Sequence, residues 1–131
     1  MADVSWLGVL LCGVSSLILG GLWYSPLLFA KPWQRGAGLT DEQLAGGNMA
    51  LIFGSAFVLS LGAAAIFAAA VGDRHGLVTW LAAGAAAGAL VAAAFGINYL
   101  FERRSVGQWM INGGYHFLQF VLFGLILAHF A

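Results

Sequence analysis

Charge is scarce in this sequence. Only 8% of its 131 residues are Asp, Glu, Lys or Arg, five basic against five acidic, where soluble domains carry about 25%. No basic stripe is present, which excludes a nucleic-acid partner. The single cysteine, Cys12, sits inside an apolar run, so there is neither a disulfide framework nor a cysteine-based metal site. Chemistry motifs are missing too. There is no HExxH, no GxSxG and no carboxylate pair within an apolar run, and Gly36-Ala37-Gly38 lacks the strand and lysine of a phosphate loop. Asp73, His75 and His129 are scattered ligand types without fixed geometry, too little for a metal site. The expectation is a protein that is not an enzyme, with no cofactor and no metal.

What the chain has is apolar surface. Hydrophobic residues make up 62% of it, more than a soluble fold of this size can hide. Four runs, 4–24, 49–71, 77–101 and 109–130, contain no Lys, Arg, Asp or Glu and are 21 to 25 residues long. About 20 residues cross the hydrocarbon core as a helix. With no water to satisfy the backbone in lipid, the runs must be helical. Alternating strands of about 10 residues are absent, which excludes a transmembrane barrel. The first run lacks a basic residue before it and is long for a signal peptide, so it reads as a true span. The fold class is therefore all-α: a polytopic membrane protein, a single domain over residues 1–131, with four transmembrane helices in an antiparallel bundle.

Lys31, Arg35, Arg103 and Arg104 fall in the first and third loops, and Arg74 alone in the second. By the positive-inside rule this bias puts those two loops in the cytoplasm and both termini outside, consistent with a bacterial inner membrane. The first loop, Ser25 to about Gly47, is the longest. Pro26 and Pro32 stop helix propagation, and Trp23, Tyr24 and Trp33 are headgroup-belt residues. A short amphipathic cytoplasmic segment is expected there, gripping lipid headgroups. Thr40 and Gln43 then match a capping box, which predicts a helix from Asp41 running on into the second span, with a kink at Gly46-Gly47.

Small residues in the third span are regularly spaced. Gly84, Gly88, Ala92 and Gly96 follow each other at intervals of four, a continuous ridge on one helix face. Such ridges let helix backbones approach closely in lipid. Gly13, Ser16 and Gly20 offer a similar face on the first span. The ridge can serve packing inside one chain or a homodimer interface.

Polar groups within spans are the best functional pointers, because they are costly there. Asn112, Tyr115, His116 and Gln119 lie at i, i+3, i+4 and i+7 in the fourth span, one helical face. His116 would sit roughly 10 Å and Gln119 roughly 15 Å into the membrane. Asn98 ends the third span, Trp23 and Tyr24 end the first, and Asn48 starts the second. All of these occupy the cytoplasmic half. The expectation is that His116, Asn112 and Asn98 share a pocket closed by Trp23 or Tyr24. These side chains either bond one another across helices or line a vestibule open to the cytoplasm, in which an imidazole can carry protons or bind a ligand.

Several segments resemble an uncharacterised bacterial and fungal membrane family, domain of unknown function 1761. The carrying residues are Gly21-Leu22-Trp23-Tyr24-Ser25-Pro26-Leu27-Leu28-Phe29-Ala30-Lys31-Pro32-Trp33, the turn Glu102-Arg103-Arg104-Ser105, and Asn112-Gly113-Gly114-Tyr115-His116. The resemblance covers nearly the whole chain and implies a small four-span integral membrane protein. It implies no activity.

Three function classes follow. The first is a homo-oligomeric transporter or channel for a small molecule or ion, with a polar pocket opening to the cytoplasm. The second is a non-catalytic, lipid-facing accessory protein. The third and weakest is a membrane enzyme acting on a lipid or amphiphile, with His116 as base. Membrane lipids and further copies of the chain are the expected partners.

Overall fold

The computed structural model describes residues 4–72 and 76–130. Among them the chain forms six helices: α1 (Trp6–Trp23), α2 (Ala30–Ala37), α3 (Asp41–Ala45), α4 (Met49–Val71), α5 (Leu77–Phe101) and α6 (Val106–Ala128). Four of these, α1, α4, α5 and α6, are long and apolar enough to cross a membrane. Large apolar side chains such as Ile18, Ile66, Val78 and Leu90 point away from the bundle. In lipid this exposure carries no hydrophobic penalty, and it is the normal exterior of a bundle.

Local chemistry sets the helix ends. Ser5 caps α1 by accepting from the Gly8 N–H at 3.1 Å. Pro26 has no N–H to carry α1 further, and Phe29 turns back to donate to the Trp23 carbonyl. The amphipathic segment after the first span is α2, half-buried at Trp33 and exposed at Lys31 and Arg35. It ends at Gly38, whose φ of 69° suits glycine.

Two boundaries differ from the sequence reading. The capping box forms as expected: Thr40 Oγ1 accepts from the Gln43 N–H, and Gln43 Oε1 accepts from the Thr40 N–H. The helix it starts does not run into the second span, however. It stops at Ala45, and Asn48 caps a separate α4 by accepting from the Leu51 N–H at 3.0 Å. Two glycines followed by a side chain that bonds the backbone favour a break over a kink. The fourth span begins at Val106 rather than 109, because Ser105 accepts from the Gln108 N–H and draws that polar turn into α6.

α6 is the organising helix. It pairs closely with α5, packs across α1, carries α2 on its first turns and touches α4 lightly. The ridge on α5 is what permits the close pairing. A Cβ at Gly88 would lie 2.7 Å from Phe117 Cα, and one at Gly84 would meet the Phe120 carbonyl. Gly124 of α6 returns the contact by seating the Trp80 backbone, and Gly113 lies against Ala92. Trp109 of α6 covers Gly96 and donates its indole N–H to the Ala92 carbonyl at 2.7 Å. Gly84 and Gly88 are thus buried against α6 within one chain, and a second copy could reach them only by opening this hairpin.

The bundle is divided along its length. Where α1 and α5 begin and α4 and α6 end, the core is apolar: Val9, Cys12, Ala64, Phe67, Trp80, Phe123 and Leu127. The polar residues of the spans gather towards the other end. That end also carries α2 and the α5–α6 turn, and with them Lys31, Arg35, Arg103 and Arg104.

Candidate functional site

The site grows from one face of α6. Asn112, the first residue on it, ties three helices together. Its Oδ1 accepts from the Tyr24 hydroxyl at the end of α1, and its Nδ2 donates to the Tyr99 hydroxyl of α5, both at 2.7 Å. Next to it, Trp23 donates its indole N–H to the Ile111 carbonyl at 2.8 Å. The aromatic pair ending α1 therefore closes this layer onto α6.

One turn deeper, Tyr115 donates to the Ser16 carbonyl of α1 at 3.0 Å. There is room for its ring because Gly20 has no side chain: a Cβ there would already touch the hydroxyl at 3.5 Å. Tyr115 stands edge-on between Tyr24 and His116, with centroids 5.6 and 4.9 Å away.

His116 and Gln119 form the second layer. His116 Nδ1 is 2.8 Å from Gln119 Oε1. Gln119 Nε2 donates to Ser16 Oγ of α1 at 2.8 Å and reaches Ser60 Oγ of α4 at 3.5 Å. Gln119 is 5% exposed and Ser16 2%, so this amide lies deep in the bundle, bonded to three helices including its own. With the Gln119 amide in this orientation its carbonyl oxygen accepts, and Nδ1 carries the proton. In the neutral ring Nε2 then holds a lone pair, and it has no hydrogen-bond partner among the described residues. The imidazole also stacks on Phe95 of α5, centroids 5.0 Å apart and planes 14° from parallel. Gln119 and Phe95 between them fix the ring's rotation and leave one basic nitrogen available.

Asn98 is not part of this arrangement. It is exposed, and none of the side-chain hydrogen bonds among the described residues involves it. Tyr99 takes the place expected for it. Each helical residue turns the side chain by about 100°, and α5 is held so that Gly84, Gly88, Ala92 and Gly96 face α6. Continuing that ridge by three residues reaches Tyr99 and leaves Asn98 to the side. Asn48 is likewise outside the cluster, serving as the cap of α4. The shared pocket expected for His116, Asn112 and Asn98 is therefore two bonded layers: Asn112 with Tyr24 and Tyr99, and His116 with Gln119, Ser16 and Ser60.

Two further members were not read from the sequence as partners. Ser16 appeared only as a small residue on the packing face of α1, and Ser60 not at all. Of the scattered ligand types at the opposite end, Asp73 and His75 lie outside the described residues. His129 is exposed, with Nδ1 2.8 Å from the Leu125 carbonyl. Among the described residues, no group of three His, Cys, Asp or Glu side chains could hold a metal ion.

The family described as "Protein of unknown function (DUF1761)" matches residues 7–128. The chain belongs to this family. The match takes in the four apolar helices and both polar layers, and it assigns no activity. No curated protein and no solved structure matches the chain.

Proposed function

We propose that this DUF1761 member is the protomer of a homo-oligomeric transporter or channel, with His116 as the group that takes up a proton or ligand within the membrane. The observation that carries the reading is the half-buried imidazole, locked by Gln119 and Phe95, whose Nε2 is left unpaired among the described residues. An ionisable side chain at membrane depth is expensive, which makes it a pointer to a substrate or proton path. Nδ1 of His116 rests on an amide rather than a carboxylate, and among the described residues no nucleophile is bonded to the ring. That arrangement suits binding and relay better than catalysis. More than one copy is needed, because four helices leave no wide path through their centre.

The four basic residues at the polar end support placing that end in the cytoplasm, with both termini outside, in a bacterial inner membrane. Substrate would then enter past Tyr24 and Asn112.

A second reading, a non-catalytic accessory protein, is favoured by one observation. Both ends of the Asn112 amide are satisfied by tyrosines, as interhelical glue would be. Proton flux separates the two. Purified protein in liposomes loaded with a pH-sensitive dye, driven by a potassium gradient and valinomycin, should acidify or alkalinise the lumen faster than protein-free liposomes. Equal rates would remove the proton-path form of the transporter reading and favour the accessory one.

A further inference from the structure

A groove of about 370 Å³ opens on the α5–α6 hairpin, with Tyr99 of the Asn112 layer in its lining. Its floor is Gly96 and the Trp109 indole, and its walls are the exposed Ile97, Leu100 and Val106. The floor is low because Gly96 has no side chain: a Cβ there would stand 3.0 Å from Trp109 Nε1. Arg104 lies at the mouth. Its guanidinium sits 5.8 Å above the Tyr99 ring, and its Nε forms an exposed ion pair with Glu102 Oε1 at 3.5 Å. The terminal nitrogens of Arg104 have no partner among the described residues. Beside it, Ser105 caps α6 through the Gln108 N–H, and the first N–H groups of a helix have no partner inside it.

We propose that this groove binds one anionic phospholipid, with its phosphate on Arg104 and the first turn of α6 and one acyl chain along Gly96 and Trp109. Charge complementarity at the boundary of the membrane points to this occupant. An apolar trough facing lipid ends at a guanidinium with free donors, and the turn Glu102-Arg103-Arg104 carries one more positive than negative charge. Guanidinium matches phosphate in geometry as well as charge. Arg103 adds a second point. It holds a φ of 58°, the left-handed conformation that glycine adopts without strain, so the backbone of this turn does not call for an arginine there. A second copy is the poorer occupant, since a two-fold contact on this face would bring the same arginines together.

Native mass spectrometry tests this on the whole chain, released from detergent with equal phosphatidylglycerol and phosphatidylcholine of the same acyl chains. The protein should retain phosphatidylglycerol about tenfold over phosphatidylcholine, because both offer the phosphate but the choline cation offsets its charge and repels Arg104. Arg104→Gln should abolish the preference. Ala93→Phe, at an exposed position lining the groove, should reduce retention of both lipids. Equal retention of the two lipids, or a preference that survives Arg104→Gln, would overturn the proposal. So would displacement of the lipid by millimolar inorganic phosphate, which would make the site one for free anions. A change of oligomeric mass in Ala93→Phe with lipid retention intact would show a second copy in the groove and overturn it as well.

Discussion

Gly88→Leu should cost the bundle about 3 kcal/mol or more, the upper part of the range for overpacked sites. A leucine side chain at 88 would point straight at the α6 backbone, since even a Cβ would lie 2.7 Å from Phe117 Cα and 2.8 Å from its carbonyl oxygen. A flexible side chain could swing aside; a helix backbone cannot. α5 would have to move off α6, which would also break the Trp109 bond to Ala92 and pull Phe95 from His116. Gly54→Leu is the matched control. Gly54 lies on α4, with no neighbouring atom within 4 Å of where a Cβ would stand, and leucine is the better helix former. Unfolding in detergent should show a large loss for Gly88→Leu and none for Gly54→Leu. Equal stabilities would mean that the ridge faces lipid.

His116→Ala should reduce proton flux to the level of protein-free liposomes while leaving the fold largely intact. The substitution removes one interhelical-scale hydrogen bond, about 0.6 kcal/mol with a maximum near 1.7, and one stacked ring pair, about 0.5–1.5 kcal/mol. Neither loss is large enough to unfold a bundle held by the α5–α6 ridge. Asn112→Leu should show the converse. It strands the hydroxyls of Tyr24 and Tyr99, each bonded at 2.7 Å, and should lower stability without touching the imidazole. Flux that persists in His116→Ala would make His116 part of the packing and put the proton path elsewhere in the bundle.

The spans were readable because each is a charge-free run of crossing length, and the ridge because glycine and alanine recur every four residues. What the ridge packs against was not readable, since periodicity fixes a face but not its partner. The same gap explains Asn98 and Tyr99. Composition favoured the amide, but neighbouring residues differ by about 100° around a helix, and only the docking of α5 on α6 decides which one turns inward. That Ser16 and Ser60 are partners of Gln119 was not readable for a related reason. Serine in a transmembrane helix commonly bonds its own preceding turn, so its sequence position does not announce a partner on another helix. The break at Gly46-Gly47 depended on Asn48 acting as a cap rather than a polar span residue, a choice made by backbone geometry.

Nitrogen NMR of the histidine-labelled protein in lipid bilayers tests the central claim most directly, with the His116 signals identified by their loss in His116→Gln. The neutral ring should carry its proton on Nδ1, bonded to Gln119, with Nε2 bare and free to accept. A neutral ring protonated on Nε2, with Nδ1 bare, would contradict that claim.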